Sequence, residues 1–308
     1  MVVSILGHPK VSSFLRKTKV WCRCGHFSEL YQVLSNLIEE ELWNQYVAEC
    51  IQWEKSKNPN WKLVSFFEPE YPPNLKEIYD PPLVLACLGN LTLLQSPMVA
   101  IVGTRKSSPV SLFATKKLVE LISANKDLVV VSGMALGIDR QAFLSALELQ
   151  IPVVGVLGTT LGMEYPPGNR DLYKRIKEDP NQLLITEFLL KTEPAKWTFP
   201  KRNRVISGLA DKVYIMESGR KSGTISTAYS AMEQNREIFV FDHPKQFDNE
   251  GGRLLLRQGA QRLFGETKFQ IEEVELESKE MSYEEWRKSR TIPSGIGRDG
   301  EWKIDFTL

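Results

Sequence analysis

The chain has 308 residues, of which 42% are apolar, 10% aromatic and 25% charged, with a formal net charge of +1. Such a chain can bury a sizeable core without covalent staples, as one large domain or two smaller ones, and it is no generic polycation. No apolar run approaches the roughly 20 residues that span a bilayer, and no small-residue cleavage site follows Val2-Val3-Ser4-Ile5-Leu6, so a cytoplasmic protein without membrane contact is expected.

The first part reads as helical. Leu30, Val33, Leu34, Leu37, Leu42, Val47 and Ile51 recur near helical spacing between Phe27 and Lys57, and Asn58-Pro59-Asn60 ends the pattern. A proline-rich lead-in follows, through Tyr71-Pro72-Pro73 and Asp80-Pro81-Pro82 to the apolar run Leu83–Leu88. From Pro97 onward short apolar runs alternate with helical patterns. The predicted strands are 99–102, 128–132, 152–157, 183–186, 212–217 and 237–241. The predicted helices cover 110–124, 140–150 and 171–177, one opening at 205, and 226–234. Continuous apolar strands alternating with helices predict an α/β fold: a doubly wound, mostly parallel Rossmann-like sheet. The organisation expected is a small helical N-terminal module over 1–66, an extended Rossmann-like domain over 67–267, and a charged, partly flexible tail over 268–308.

In such folds ligands bind beyond the carboxyl ends of the strands. Gly103, Gly133, Gly158, Glu187 and Glu217 fall there. Gly103-Thr104-Arg105-Lys106 stands between a strand and a helix, where glycine admits an anion and Arg105 can fork onto a phosphate. Ser107 and Ser108 are candidate helix caps. Ser132-Gly133-Met134-Ala135-Leu136-Gly137 can cradle a phosphate or only turn tightly. Arg170 leaves the loop Tyr165-Pro-Pro-Gly-Asn169. Five of the nine residues from Lys196 to Arg204 are Lys, Arg or Asn: Lys196, Lys201, Arg202, Asn203 and Arg204. They stand beside Trp197 and Phe199. They either hold a polyanion with exposed bases or, in part, pair internally with Glu187 or Glu217. Ser222-Gly223-Thr224, at a strand-to-helix junction, resembles a second anion-receiving nest.

Other chemistries fit less well. Cys22-x-Cys24-x-His26 offers three ligands without the paired spacing of structural zinc sites, so packing is its expected role. The dinucleotide fingerprint is missing after the first strand, which disfavours a nicotinamide enzyme. A Rossmann-like nucleotide phosphoribohydrolase similar to the "lonely guy" family is the alternative, with Glu187 or Glu217 near the sugar. Its Gly-Gly-x-Gly-Thr pattern is matched only in part by Ser222-Gly223-Thr224. No catalytic triad ordering, metal or cofactor is expected.

The ordered set Tyr71-Pro-x-x-Leu75, Pro81-Pro82, Gly103-Thr-Arg105, Ser132-Gly-x-Ala-x-Gly-Ile-Asp139, Tyr165-Pro-x-x-Asn169, Phe199-Pro-x-Arg-Asn-Arg204, Ser222-Gly-Thr224 and Gly259-Ala260 resembles the DNA-processing protein A family, also called DprA or Smf. The resemblance covers about residues 68 to 264. It implies an extended Rossmann domain that binds single-stranded DNA as a homodimer and loads a RecA-type recombinase, in natural transformation where bacteria are competent, without catalysis. It places Arg105, Arg170 and Lys196 on the DNA, with Arg202 and Arg204 along the same rim. Phe143 stands where the family usually has His, and Asp242-His-Pro244 where it usually has Pro-Gly.

Overall fold

A computed structural model describes residues 1–190, 194–242 and 248–263, and the backbone of two short strands farther on. The N-terminal region is helical, but in three helices: α1 (Pro9–Thr18), α2 (Phe27–Leu37) and α3 (Glu40–Ser56). The single periodic run predicted over 27–57 breaks at Ile38, which is extended. A hairpin-like pair comes next, β1 (Lys62–Ser65) and β2 (Val84–Gly89), separated by the short α4 (Pro73–Lys76).

The alternating units then follow in order. They are β3 (Met98–Val102), α5 (Pro109–Ile122), β4 (Val129–Ser132), α6 (Ile138–Glu148), β5 (Val153–Val156), α7 (Arg170–Glu178), β6 (Leu183–Thr186) and α8 (Thr198–Leu209). After these come β7 (Lys212–Ile215), α9 (Gly223–Glu233), β8 (Glu237–Val240), α10 (Glu250–Arg257) and β9 (Gln261–Arg262). Two-residue strands β10 (Ile271–Glu272) and β11 (Lys303–Ile304) pair with each other. The rest of the charged tail lies outside the described residues.

The nine-stranded sheet runs β1-β2-β6-β5-β4-β3-β7-β8-β9. Every pairing from β6 to β9 is parallel; β2 is antiparallel to both β1 and β6. The fold is therefore the mixed α/β, mostly parallel arrangement expected. The run 83–88, read as a lead-in, is in fact a sheet strand: Leu85, Ala86 and Cys87 are fully buried, which only a strand covered on both faces achieves. The strand order reverses between β3 and β7, and there the connections after the two strands diverge to opposite faces of the sheet.

Two apolar layers sandwich the sheet. One holds Val64, Tyr71, Leu75, Val154, Ile206 and Ile215. The other joins α5 and α6 to the N-terminal helices: Ile5, Leu6, Leu15, Leu30, Leu34 and Trp43 share one continuous cluster with Val84, Ile101 and Phe143. The N-terminal helices thus have no separate core.

Candidate functional site

The loops that follow β3, β4, β5, β6 and β7 form one rim at the carboxyl edge of the sheet. After β3, Ser108 caps α5: its Oγ accepts the Ser111 N–H (3.2 Å), and Pro109 occupies the first helical position. This turn is held from β7. The Thr104 N–H donates to the Glu217 carbonyl (2.9 Å), and the Glu217 carboxylate accepts from the Ser108 N–H (2.7 Å) and Oγ (2.9 Å). Burial raises the pKa of Glu217, while the Ser108 donors hold it down. With the turn so fixed, Arg105 and Lys106 project into solvent.

After β4, the Asp139 carboxylate accepts from the Gly133 (3.1 Å) and Ala135 (3.3 Å) N–H groups, which ties the glycine turn to the start of α6. Desolvation raises its pKa in spite of the nearby Arg202 guanidinium. Gly137 has φ of +76°, and a Cβ there would lie 2.3 Å from the Thr104 carbonyl, so only glycine lets this turn touch the β3 loop. After β5, Asn169 is fully buried and donates to the carbonyls of Met134 (2.9 Å) and Ala135 (3.0 Å), while Arg170 next to it is exposed.

The basic motif after β6 differs from the expectation. A helix was predicted to open at Val205, but α8 begins at Thr198, so most of the motif is helical. Pro200 lies in the first turn, where a missing N–H breaks no helical bond. The helix sends its cations in different directions. Arg202, read as a phosphate ligand, is only 5% exposed. Its Nη1 donates to the carbonyls of Gly133 (2.5 Å) and Val156 (2.5 Å), and its Nε donates to Asn203 Oδ1 (3.1 Å). Burial pulls its pKa down to about 10, partly offset by Asp139. Two strand-end carbonyls take Nη1 and Asn203 takes Nε, so it braces the rim from beneath.

Arg204 and Lys201, also placed on the rim by the sequence reading, meet Glu187 instead, at 2.6 and 2.9 Å. Arg204 also donates to the Asp80 carbonyl (2.5 Å). Glu187 is 5% exposed. The alternative weighed for these residues, an internal pair with Glu187, is the arrangement found. Asn203 is buried and donates to the Gly223 carbonyl (3.1 Å), which links α8 to the start of α9.

Lys196 and Trp197 precede α8 and are exposed, Trp197 to 58%. The Trp197 ring stands edge-on to Phe188 at 5.9 Å. Phe199 is half-buried between two rim residues: its ring lies 5.4 Å from the Arg105 guanidinium and 5.4 Å from the Tyr165 ring. A Cβ on Gly158 would meet this ring at 2.9 Å, which explains a glycine in the loop just after β5. After β7, a Cβ on Gly223 would meet nothing within 4 Å, so the first turn of α9 opens to solution, with Ser222 and Thr224 flanking it.

The structure therefore joins Arg105, Phe199 and Tyr165 directly, and Gly133, Arg202, Asn203 and Gly223 through hydrogen bonds. Among the described residues, the side chains of Lys106, Arg170 and Lys196 stand on the same edge without such contacts. None of Arg105, Lys106, Arg170 and Lys196 forms an ion pair among the described residues. Sequence reading missed Asn249. Fully buried, it accepts from the Ser218 N–H (3.0 Å) and donates to the Phe241 carbonyl (2.9 Å), fixing the β7 loop. A lone Asn before a helix gives no pattern that would reveal this.

Sheet order and rim define a doubly wound Rossmann-like protein with an unpaired cationic edge. Its family follows from residues 62–275, which match the sequence model of DNA recombination-mediator protein A; the chain belongs to that family. The DNA processing protein DprA of Streptococcus pneumoniae is 39% identical over 170 residues, 55% of this chain and 59% of that protein. DprA of Bacillus subtilis is 36% identical over 197 residues, 63% and 65% of the two chains. Protein Smf of Escherichia coli is 34% identical over 205 residues, 66% and 54%. The matched region thus spans between half and two thirds of these relatives. The crystal structure of S. pneumoniae DprA superposes with a TM-score of 0.66 at 32% identity, covering 71% of this chain and 78% of that one. DNA processing protein A of Helicobacter pylori, whose single-stranded DNA binding mode has been described structurally, gives 0.60 at 30% identity, covering 67% and 91%.

Proposed function

We propose that the chain binds single-stranded DNA along this rim and passes it to a RecA-type recombinase. The observation that carries the reading is Arg105 stacked on Phe199, beside the exposed Trp197 and Lys196 and without a carboxylate partner. Exposed cations without partners are free to take phosphates, and release of counterions drives that step. Trp197 presents a face on which a base can stack, which a duplex would not offer. The open turn at Ser222-Gly223-Thr224 supplies backbone N–H donors at a helix N-terminus. Arg202, Arg204 and Lys201 act from below by holding the loops in place.

Binding rather than turnover is the better reading of the two candidate acids. Glu187 is committed to Lys201 and Arg204, and Glu217 to Ser108, which leaves neither facing a sugar. This disfavours the phosphoribohydrolase alternative. Homodimerisation, a cytoplasmic setting and a role in natural transformation belong to the same proposal and are supported by family membership.

A salt titration against a labelled single strand tests it, with duplex of equal length and Arg105→Ala alongside. Tight, salt-sensitive binding to the single strand that the variant loses is the expected result. Equal binding of strand and duplex, or full binding by the variant, refutes it.

A further inference from the structure

Helix α10 carries Arg253 and Arg257 four residues apart, hence on one face. They line an open cleft of about 270 Å³ together with Arg220, Leu254 and Glu250. Three arginines and one glutamate thus line it. None of the three forms an ion pair among the described residues. The Nη1 of Arg253 is buried and has no hydrogen-bond partner among the described residues. A buried charged donor without an acceptor is costly, and an anion in the cleft would remove that cost.

The cleft is built rather than incidental. The Gly251 N–H donates to the Ser218 carbonyl (2.8 Å), and a Cβ on Gly251 would meet the Gly219 carbonyl at 2.6 Å. Helix α10 thus lies directly on the loop that presents Arg220, and Asn249 locks the same loop. The cleft also adjoins the rim. The Ser218 and Ser222 hydroxyls are 2.7 Å apart, and Asn203 holds Gly223 next to them. A strand leaving the rim over the start of α9 reaches Arg220 next.

We propose that the cleft among Arg220, Arg253 and Arg257 is a second phosphate-binding site, filled by backbone phosphates of the strand held on the rim. The proposal rests on the single-strand reading above and extends its path toward α10. Guanidinium forks match phosphate oxygens in pairs, and the lining offers no apolar pocket for a peptide side chain beyond Leu254.

The test uses the full chain and fluorescein-labelled oligothymidylates of about 6 and about 20 nucleotides, which bracket the reach of single-strand binding folds. Arg220→Gln/Arg257→Gln alters only exposed side chains and leaves the half-buried Arg253 in place. An unchanged thermal midpoint checks its fold. The double variant is expected to bind the long strand about tenfold more weakly, with a salt slope reduced by about 1.4 for two lost contacts, and the short strand as before. Two results overturn the proposal: both lengths bound as by the native chain, or both weakened equally. Saturation of the cleft by a synthetic acidic peptide of sequence 271–280, with no change in long-strand affinity, also overturns it. Arg105→Ala/Lys196→Ala separates the two readings. If it weakens both lengths while the α10 variant does nothing, the rim stands and the cleft falls; if it changes neither, the rim reading fails.

Discussion

Replacing Arg202 with alanine separates a brace from a contact. The guanidinium is 5% exposed and donates to two strand-end carbonyls at 2.5 Å and to Asn203 at 3.1 Å. Its removal leaves the Gly133 and Val156 carbonyls without their charged donor and the buried Asp139 without its countercharge. Breaking a buried charge interaction from one side costs about 3–5 kcal/mol. At about 2–4 °C per kcal/mol for large domains, the unfolding midpoint should fall by about 10 °C. Circular dichroism during heating measures the midpoint, and anisotropy well below it measures strand binding by the folded fraction. Binding by the folded fraction should stay near the native level, because only 5% of the arginine is exposed. An unchanged midpoint with strand binding lost would refute the reasoning and place Arg202 on the phosphate.

Three other outcomes are expected. Trp197→Ala should leave stability nearly unchanged, since the ring is largely exposed, yet weaken single-strand binding by about 1–3 kcal/mol, read by anisotropy. Glu187→Gln should destabilise the fold by about 3–5 kcal/mol in urea unfolding, because Lys201 and Arg204 lose their shared buried partner. Glu217→Gln should change the pH profile of stability. Burial raises the Glu217 pKa above its ordinary 4.5, so the stability it confers is complete below that value and declines as pH rises through the folded pKa. Midpoints measured from acid to neutral pH should therefore show the variant gaining on the native chain as pH rises; a constant difference would contradict this.

The parallel sheet was legible because β3 through β8 are continuous apolar runs, and both-face burial needs no partner pattern to be seen. Leu83–Leu88 carried the same signal, but its antiparallel pairing to β6, about a hundred residues away, leaves no local trace. The candidate site was legible by position only. Glycines and basic residues at strand ends located the rim, but density of charge does not tell which cations face solvent. Arg202 and Arg204 are two apart on a helix, so they point in different directions, and α8 itself was hidden by Pro200, which a first turn tolerates. The arginines of α10 could have been found from their four-residue spacing, had the helix been foreseen.

The shared core of the N-terminal helices also bears on the order in which a ribosome delivers this chain. A Cβ on Gly7 would strike Leu189, so the turn at Val3–Gly7 lies against a residue made some 180 positions later. The strand that β2 pairs with on its inner side, β6, is equally late. Until about residue 190 has emerged, the turn at Gly7 lacks part of the surface that covers it. The turn around Gly7 is thus fully buried only after some 180 further residues have been made, and its apolar side chains wait through that stretch of translation.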